Sequence, residues 1–259
     1  MSEATRYRAT IAYVGTRFRG WQVQANAPRT VQAVLQRALG ELARSPVKVE
    51  GAGRTDAGVH ADGQVAHFDL PRPRDPRAIR DAVNRRLPED VRILEVSLAA
   101  PTFHARFDAH WKEYRYRWSR AAVIPPRDAP FVAPISPAAD ALRMREAAQG
   151  LAGTRDFGIF AVRGGARESG TRTLYSVAIE EDGAELSALF RGDGFLRGMV
   201  RSICGVLADA GRGRVPPSRM GELLSGGGRR RLSAKAAAQG LTLVRVSYGE
   251  GGGGVKLCQ

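Results

Sequence analysis

The stretch Gly53-Arg54-Thr55-Asp56-Ala57-Gly58-Val59-His60-Ala61 sets one carboxylate and one guanidinium between two glycines, in a loop expected between two strands. Glycines at both ends let the backbone turn sharply and come close to a ligand. An aspartate carries its charge at neutral pH, and an arginine, Arg54 or one more distant in sequence, can keep it charged and oriented. Such a carboxylate serves as a nucleophile or as a proton acceptor. The same residues also describe an Asx turn in which Asp56 caps backbone N–H groups, and composition alone favours that turn.

A second segment, Lys112-Glu113-Tyr114-Arg115-Tyr116-Arg117-Trp118, alternates aromatic and charged residues. Tyr114, Tyr116 and Trp118 therefore share one face of a strand. On an open sheet such rings stack on unpaired bases, worth roughly 1–3 kcal/mol each; on a covered sheet they are core. Core packing is expected for Tyr116 and Trp118, and the pattern leaves Tyr114 open. Gly192 to Gly198 reads G-x-G-x-x-x-G after a strand of an apparent hairpin, which gives a dinucleotide site weak support. The histidines, His60, His67, His104 and His110, are not spaced i, i+3 or i+4 on an expected helix, so no metal site is expected. His67 reads as a structural residue. Cys204 and Cys258 form no C-x-x-C pair, which argues against a disulfide scaffold or zinc ribbon and for a reducing, cytoplasmic setting. Cys204 falls on the apolar side of an expected helix, as packing.

The charge of the whole chain points to a partner. Lys+Arg number 40 against 26 Asp+Glu, a net +14, and all but Lys48, Lys112, Lys235 and Lys256 of the basic residues are arginine. Guanidinium forks suit phosphates and stack on bases, and a field of this sign attracts polyanions. Nucleic acid is the leading partner. An acidic membrane surface is second, but no basic amphipathic helix with a wide apolar face is evident, and no run of about 18 apolar residues would span a bilayer. The first residues, Met1 to Arg6, show no apolar stretch of signal-peptide length. With 43% hydrophobic and 25% charged residues the composition is that of a folded, globular chain.

Periodicity supplies the elements that must position these groups. Strands are expected at Tyr7–Val14, Val47–Glu50, Gln64–Leu70 and Val91–Leu98, with helices at Thr30–Leu42, N-capped by Thr30, and after Asp75-Pro76 with Ile79, Val83 and Leu87 on one side. This is the β-α-β-β-α-β order of a ferredoxin-like unit. The order recurs: strand Trp111–Arg120, helix Ala138–Leu151, a hairpin of Thr173–Glu181 and Glu185–Arg191 about Asp182-Gly183, helix Phe195–Ala210, a short helix after Pro216-Pro217, and strand Leu241–Tyr248. The expectation is an α+β chain of two ferredoxin-like halves, residues 1–108 with the Gly53–Ala61 loop and 109–249, followed by a flexible glycine-rich tail, 250–259. Gly164-Gly165, Gly226-Gly227-Gly228 and Gly251 to Gly254 punctuate it.

These residues resemble a known family. Gly53-Arg54-Thr55-Asp56-Ala57-Gly58-Val59-His60-Ala61 is similar to the signature of the TruA family, tRNA pseudouridine synthase A. Phe18-Arg19-Gly20-Trp21-Gln22-Val23-Gln24 resembles its F-x-G-W-Q-x-Q motif, and Asn84 to Pro88, Phe103-His104-Ala105-Arg106-Phe107 and Lys112-Glu113-Tyr114-Arg115-Tyr116 resemble later blocks. Gly194-Phe195-Leu196-Arg197-Gly198-Met199-Val200-Arg201-Ser202-Ile203-Cys204-Gly205 is similar to its F-L-x-x-M-V-R-x-I-x-G helix, and Gln239-Gly240-Leu241-Thr242-Leu243 to its terminal strand. Ala236-Ala237-Ala238 departs from the usual A-P-A, and Ile159 stands where a small residue is usual.

The resemblance implies a pseudouridine synthase-like fold with sheets joined around a central cleft. It implies an isomerase, an intramolecular transferase, that converts uridine to pseudouridine at positions 38 to 40 of the tRNA anticodon stem-loop. It implies no cofactor and no metal, and a homodimer. Asp56 matches the catalytic aspartate, Tyr114 the tyrosine that stacks on the target base, Arg201 the arginine that pairs with that aspartate, and Arg54 an arginine that assists base extrusion. The alternatives left by the residues themselves are a non-catalytic RNA-binding protein on ferredoxin-like sheets and, on the weak Gly192 to Gly198 run, a dinucleotide-dependent enzyme.

Overall fold

Strand β1 (Thr5–Tyr13) sends Tyr7, Ala9, Ile11 and Tyr13 to one buried face and keeps its even-numbered residues half-exposed, the period of two that a strand with one covered face requires. The computed structural model describes residues 4–25, 29–162, 169–226 and 233–249. The glycine runs at 164–165, 227–228 and 251–254, the 250–259 tail and Cys258 lie outside the described residues. The chain divides into two compact units, one of Met1–Trp111 with Leu243–Gln259, the other of Lys112–Thr242.

The first unit follows the expected order: β1, α1 (Val31–Ala43), β2 (Val49–Gly51), β3 (His60–Leu70), α2 (Pro76–Asn84) and β4 (Val91–Leu98). β1 lies between β4 and β3, antiparallel to both, and β2 runs antiparallel to β3. This β4-β1-β3-β2 arrangement is ferredoxin-like. The Thr30 hydroxyl accepts from the Ala33 N–H at 3.3 Å and starts α1, and the Asp75 carboxylate accepts from the Arg77 N–H at 3.1 Å and starts α2. Each cap is worth about 1 kcal/mol. Leu35 and Leu39 of α1, and Ile79 and Val83 of α2, are buried with the Tyr7–Phe68 ring stack, whose centroids are 5.7 Å apart.

The second unit contains β5 (Trp111–Ser119), β6 (Ala133–Pro134), α3 (Ala141–Ala148), β7 (Gly153–Asp156), β8 (Thr171–Asp182), β9 (Glu185–Gly192), α4 (Met199–Gly211) and α5 (Arg219–Leu224), and β10 (Leu241–Ser247) begins at its end. Its strands run β5-β9-β8-β7, each antiparallel to the next, with β6 parallel to β5. The β8–β9 hairpin closes through Gly183 and Ala184, with Asp182 opposite Glu185. From Leu243 onward β10 belongs to the first unit and pairs with β3.

Several boundaries differ from the sequence expectation. β3 begins at His60, four residues before Gln64, so His60 and Ala61 belong to a strand rather than to the loop; the polar His60 and Asp62 and the side-chain-less Gly63 hide its alternation. Helix α2 stops at Asn84, and Leu87 is buried beyond it. Helix α3 is shorter than 138–151 because the Asp140 carboxylate caps the Leu142 N–H at 2.7 Å. Helix α4 begins at Met199, not Phe195, because Gly198 adopts the left-handed φ of +74° and breaks the helix there. β6 and β7 were not expected: one is two residues long, and all four residues of the other are exposed, so neither carries an apolar alternation.

Candidate active site

Asp56 sits half-buried in the loop between β2 and β3, between buried Thr55 and exposed Ala57. Main-chain contacts fix that loop at several points. The Thr55 carbonyl accepts from the Trp21 N–H at 3.1 Å, and the Gly58 N–H donates to the Phe18 carbonyl at 3.3 Å. Ahead of it, Ala52 N–H donates to the Val65 carbonyl at 2.7 Å and the Gln64 side-chain amide donates to the Gly53 carbonyl at 2.9 Å. The Tyr13 hydroxyl bonds the Thr55 hydroxyl at 2.8 Å beneath the loop. Burial pushes the Tyr13 phenol up to about 12, so it stays a neutral hydroxyl partner.

Gly20 makes this approach possible. It has a φ of +92°, and a Cβ there would lie 2.7 Å from the Thr55 carbonyl and 3.2 Å from the Ala57 nitrogen. Only a residue without a side chain lets the two segments touch main chain to main chain. Next to it, Trp21 is fully buried against Gly51, and its carbonyl accepts from Gln32 N–H at 3.0 Å. The Gln32 side chain then accepts from Val23 N–H at 2.8 Å and donates to the Val49 carbonyl at 2.7 Å. The Phe18 to Gln24 block is thus the frame of the Asp56 loop and its link to α1, a role that composition alone did not disclose. Arg54 is exposed on the same loop.

Tyr114, Tyr116 and Trp118 share the buried face of β5 in the second unit. Tyr116 and Trp118 are core, with centroids 4.5 Å apart, and the Tyr116 hydroxyl donates to the Ala237 carbonyl at 2.9 Å. A proline at 237 would still offer that carbonyl, so the departure from A-P-A leaves the contact intact. Tyr114 has 7% of its surface exposed and meets the edge of Phe195 at 5.0 Å and 77°. Phe195, which periodicity assigned to a helix, instead stands in the segment before α4, where it forms one wall beside Tyr114. Arg201 is half-buried on α4; its Nε donates to the Ala236 carbonyl at 2.8 Å, and Ala236 N–H donates back to the Arg201 carbonyl at 3.0 Å. Cys204, one turn on, is buried, and burial raises its thiol well above the usual range, so it is packing. The structure places Asp56 and Arg54 on one loop of the first unit, and Tyr114 and Arg201 in the second.

One cluster that spacing did not disclose is Glu50, His67 and His104, whose ligand-type atoms lie within 4.8 Å of one another. His67 Nδ1 accepts from Ala105 N–H at 3.2 Å, and His104 Nδ1 accepts from Arg106 N–H at 3.1 Å and Phe107 N–H at 3.3 Å. Each neutral ring therefore carries its proton on Nε2, and His104 uses it on the Glu50 carboxylate at 3.1 Å. Ligating a metal would cost these backbone bonds. The cluster fastens the Phe103–Phe107 segment to β2 and β3.

A sequence profile described as tRNA pseudouridine synthase matches residues 9–108 and 147–249, which include Arg54, Asp56, Phe195 and Arg201. The chain belongs to the tRNA pseudouridine synthase family. Tyr114 falls between the two matched segments. The chain is similar to the tRNA pseudouridine synthase A of Solidesulfovibrio magneticus, with 42% identity over 253 residues, covering 95% of this chain and 92% of the relative. It is 41% identical to that of Syntrophotalea carbinolica over 241 residues, covering 93% and 95%, and 41% identical to that of Listeria innocua over 247 residues, covering 94% and 99%. This family assignment removes the dinucleotide reading of Gly192 to Gly198: those residues are the turn and entry to α4 after an antiparallel strand, not the βαβ crossing a dinucleotide needs. Among the described residues no helix is long and apolar enough to cross a membrane.

Proposed function

We propose that this protein isomerises uridine to pseudouridine in tRNA, at positions 38 to 40 of the anticodon stem-loop, with Asp56 as the catalytic carboxylate. The observation that carries the assignment is the clamped loop: main-chain bonds from Phe18 and Trp21, through Gly20, hold Asp56 half-exposed on a fixed support. A charged group so fixed needs no reorganisation when the reaction occurs.

The isomerisation breaks the N1–C1′ bond of the nucleotide, turns the uracil, and joins C5 to C1′. C5 loses its proton and N1 gains one, so atoms and electrons balance and no redox carrier is consumed. Asp56 supplies the carboxylate that attacks the sugar or the pyrimidine and then accepts the C5 proton. Arg201 pairs with it, since a carboxylate covered by bound RNA is costly without a counter-charge. The target uridine leaves its stack at a cost of a few kcal/mol, and the Tyr114 ring recovers part of that by stacking on it. Arg54, exposed beside Asp56, assists extrusion of the base. The enzyme works as a homodimer in the cytoplasm without a cofactor or metal, and its arginine-rich surface holds the phosphates.

The test is incubation of the pure protein with unmodified tRNA transcripts and mapping of pseudouridine by sequencing. Asp56→Asn should abolish product while tRNA affinity stays within about tenfold, or ~1.4 kcal/mol. Turnover retained by Asp56→Asn removes the catalytic role. A wild-type protein that binds tRNA and makes no pseudouridine favours the non-catalytic RNA-binding reading.

A further inference from the structure

The far end of α1 and the whole outer surface of α2 form a second basic region, distinct from the Asp56 loop. Helix α1 starts where Val31 N–H donates to the Gly20 carbonyl, beside the loop. It is 13 residues long, so its C-terminal end lies ~20 Å further along the helix axis. There Arg44, Arg72, Arg74, Arg77, Arg85 and Arg86 are all exposed. They belong to one surface: Arg74 reaches the Leu42 carbonyl at 3.5 Å, and Arg86 lies 3.7 Å from Glu41 of α1.

The local carboxylates are already engaged. Glu41 serves Arg37 and Arg86, Asp81 serves Arg80, and Asp75 caps α2. Among the described residues no carboxylate lies within ion-pair distance of Arg44, Arg72 or Arg77, and Arg85 meets Asp81 only through its longer-range charge. The Arg72–Arg74 turn is also fixed: the Tyr7 hydroxyl accepts from Arg74 N–H at 2.7 Å and donates to the Arg74 carbonyl at 2.9 Å. Arg44 is the second, independent observation. It ends α1 with a φ of +55°, the left-handed geometry that glycine occupies at least cost, and it is the non-glycine residue recorded with a positive φ among the described residues. Its backbone N–H closes α1 on the Gly40 carbonyl, and its exposed guanidinium stands at the end of the helix, on the side of the α2 arginines.

We infer that this surface of α1 and α2 is an accessory phosphate-binding site that grips the RNA backbone about one helix length from the target nucleotide. The inference rests on the tRNA reading above and extends it to a place that reading does not use. Guanidiniums spread along the nine-residue α2, ~14 Å, and onto the end of α1 match the repeating charge of a nucleic-acid strand better than a single anion, and they contribute affinity without base specificity. Because the grip is remote from the reacting atoms, it acts on binding and leaves the chemical step alone.

Two full-length variants test it, Arg44→Gly and the triple Arg72→Gln/Arg77→Gln/Arg85→Gln, each against unmodified tRNA transcripts. Arg44→Gly relieves the backbone, so its melting midpoint should match or exceed that of the parent while KM rises two- to threefold. The triple variant should raise KM for tRNA roughly tenfold with kcat within twofold. The slope of log Kd against log salt should fall by about one for Arg44→Gly and about three for the triple variant. Unchanged KM and slope in both variants, with a wild type that forms pseudouridine, overturns the accessory site and leaves the enzymatic reading standing. A wild type that forms no pseudouridine sinks the enzymatic reading instead, and the salt slopes of tRNA binding still decide the site. Loss of binding to phosphatidylserine vesicles, with tRNA binding unaffected, also overturns it.

Discussion

Around Asp56 the chain is fixed by main-chain atoms: Trp21 N–H on the Thr55 carbonyl, Gly58 N–H on the Phe18 carbonyl, Gly20 against both Thr55 and Ala57. Around Tyr114 the backbone sits in the β5–β9 ladder opposite Phe190, and a side chain supplies the wall, with the Phe195 edge on the Tyr114 ring. The contrast fits the roles proposed for each region. A charge must be placed to within a fraction of an ångström, and backbone bonds in a loop with no rotamers do that. A ring proposed to receive a planar base needs a flat, tolerant wall, and aromatic packing offers one.

The comparison breaks most sharply at Gly20. Gly20→Ala puts a Cβ within 2.7 Å of the Thr55 carbonyl at a φ that L-residues resist. It should cost about 3 kcal/mol of stability in thermal unfolding and remove most turnover, although the position carries no chemical group. If Gly20→Ala turns over normally, the backbone clamp is not what positions Asp56. The side-chain wall should yield by smaller steps. Tyr114→Phe keeps the ring and should keep activity near that of the parent. Tyr114→Leu and Phe195→Leu each lose a ring pair worth about 0.5–1.5 kcal/mol, and turnover should drop roughly tenfold. Equal activity in Tyr114→Phe and Tyr114→Leu would end the stacking role.

The smallest effect is electrostatic. Burial raises the Tyr13 phenol to about 12 and also raises Tyr116 and Tyr248. A phenol whose folded value lies above its unfolded value favours folding while it is neutral. That contribution is complete below about pH 10 and is lost as pH climbs from there through the folded values. Melting midpoints should therefore fall on the alkaline side. Tyr13→Phe should flatten part of that fall while costing about 1 kcal/mol at neutral pH through the lost Thr55 bond. An unchanged alkaline slope in Tyr13→Phe would place the titration elsewhere.

Much of this architecture was legible because it depends on local signals. The Thr30 and Asp75 caps, the even spacing of β1, the whole of β4 and the Asp182-Gly183 hairpin announce themselves within a few residues. What escaped depends on partners far along the chain. β7 is an exposed strand that exists because β8 pairs with it, from Gly153 opposite Leu174 to Asp156 opposite Thr171. Phe195, Leu196, Met199 and Ile203 carry a helical spacing, yet the helix waits until after Gly198, a choice of backbone geometry that spacing does not record. At the site, the glycine bracket around Asp56 drew attention to the loop. Gly20 and Trp21, which hold it, lie more than thirty positions earlier, and only their family pattern marked them.

Strand β10 adds a constraint on biosynthesis. The unit bearing Asp56 is sewn from two stretches of chain, because residues from Leu243 return to it: the Val244 carbonyl packs on Gly63, His110 N–H donates to the Ser247 carbonyl at 2.8 Å, and the Tyr248 hydroxyl donates to the Ala105 carbonyl at 2.6 Å. On a ribosome, the uninterrupted stretch Lys112–Thr242 can close first, while the part translated earliest stays an unfinished sheet with the β3 margin that β10 covers still open until Leu243 and its neighbours emerge. Nascent chains halted before Leu243 would keep that margin open to chaperones, and the sheet that carries the Asp56 loop closes only when Leu243 and the residues after it arrive.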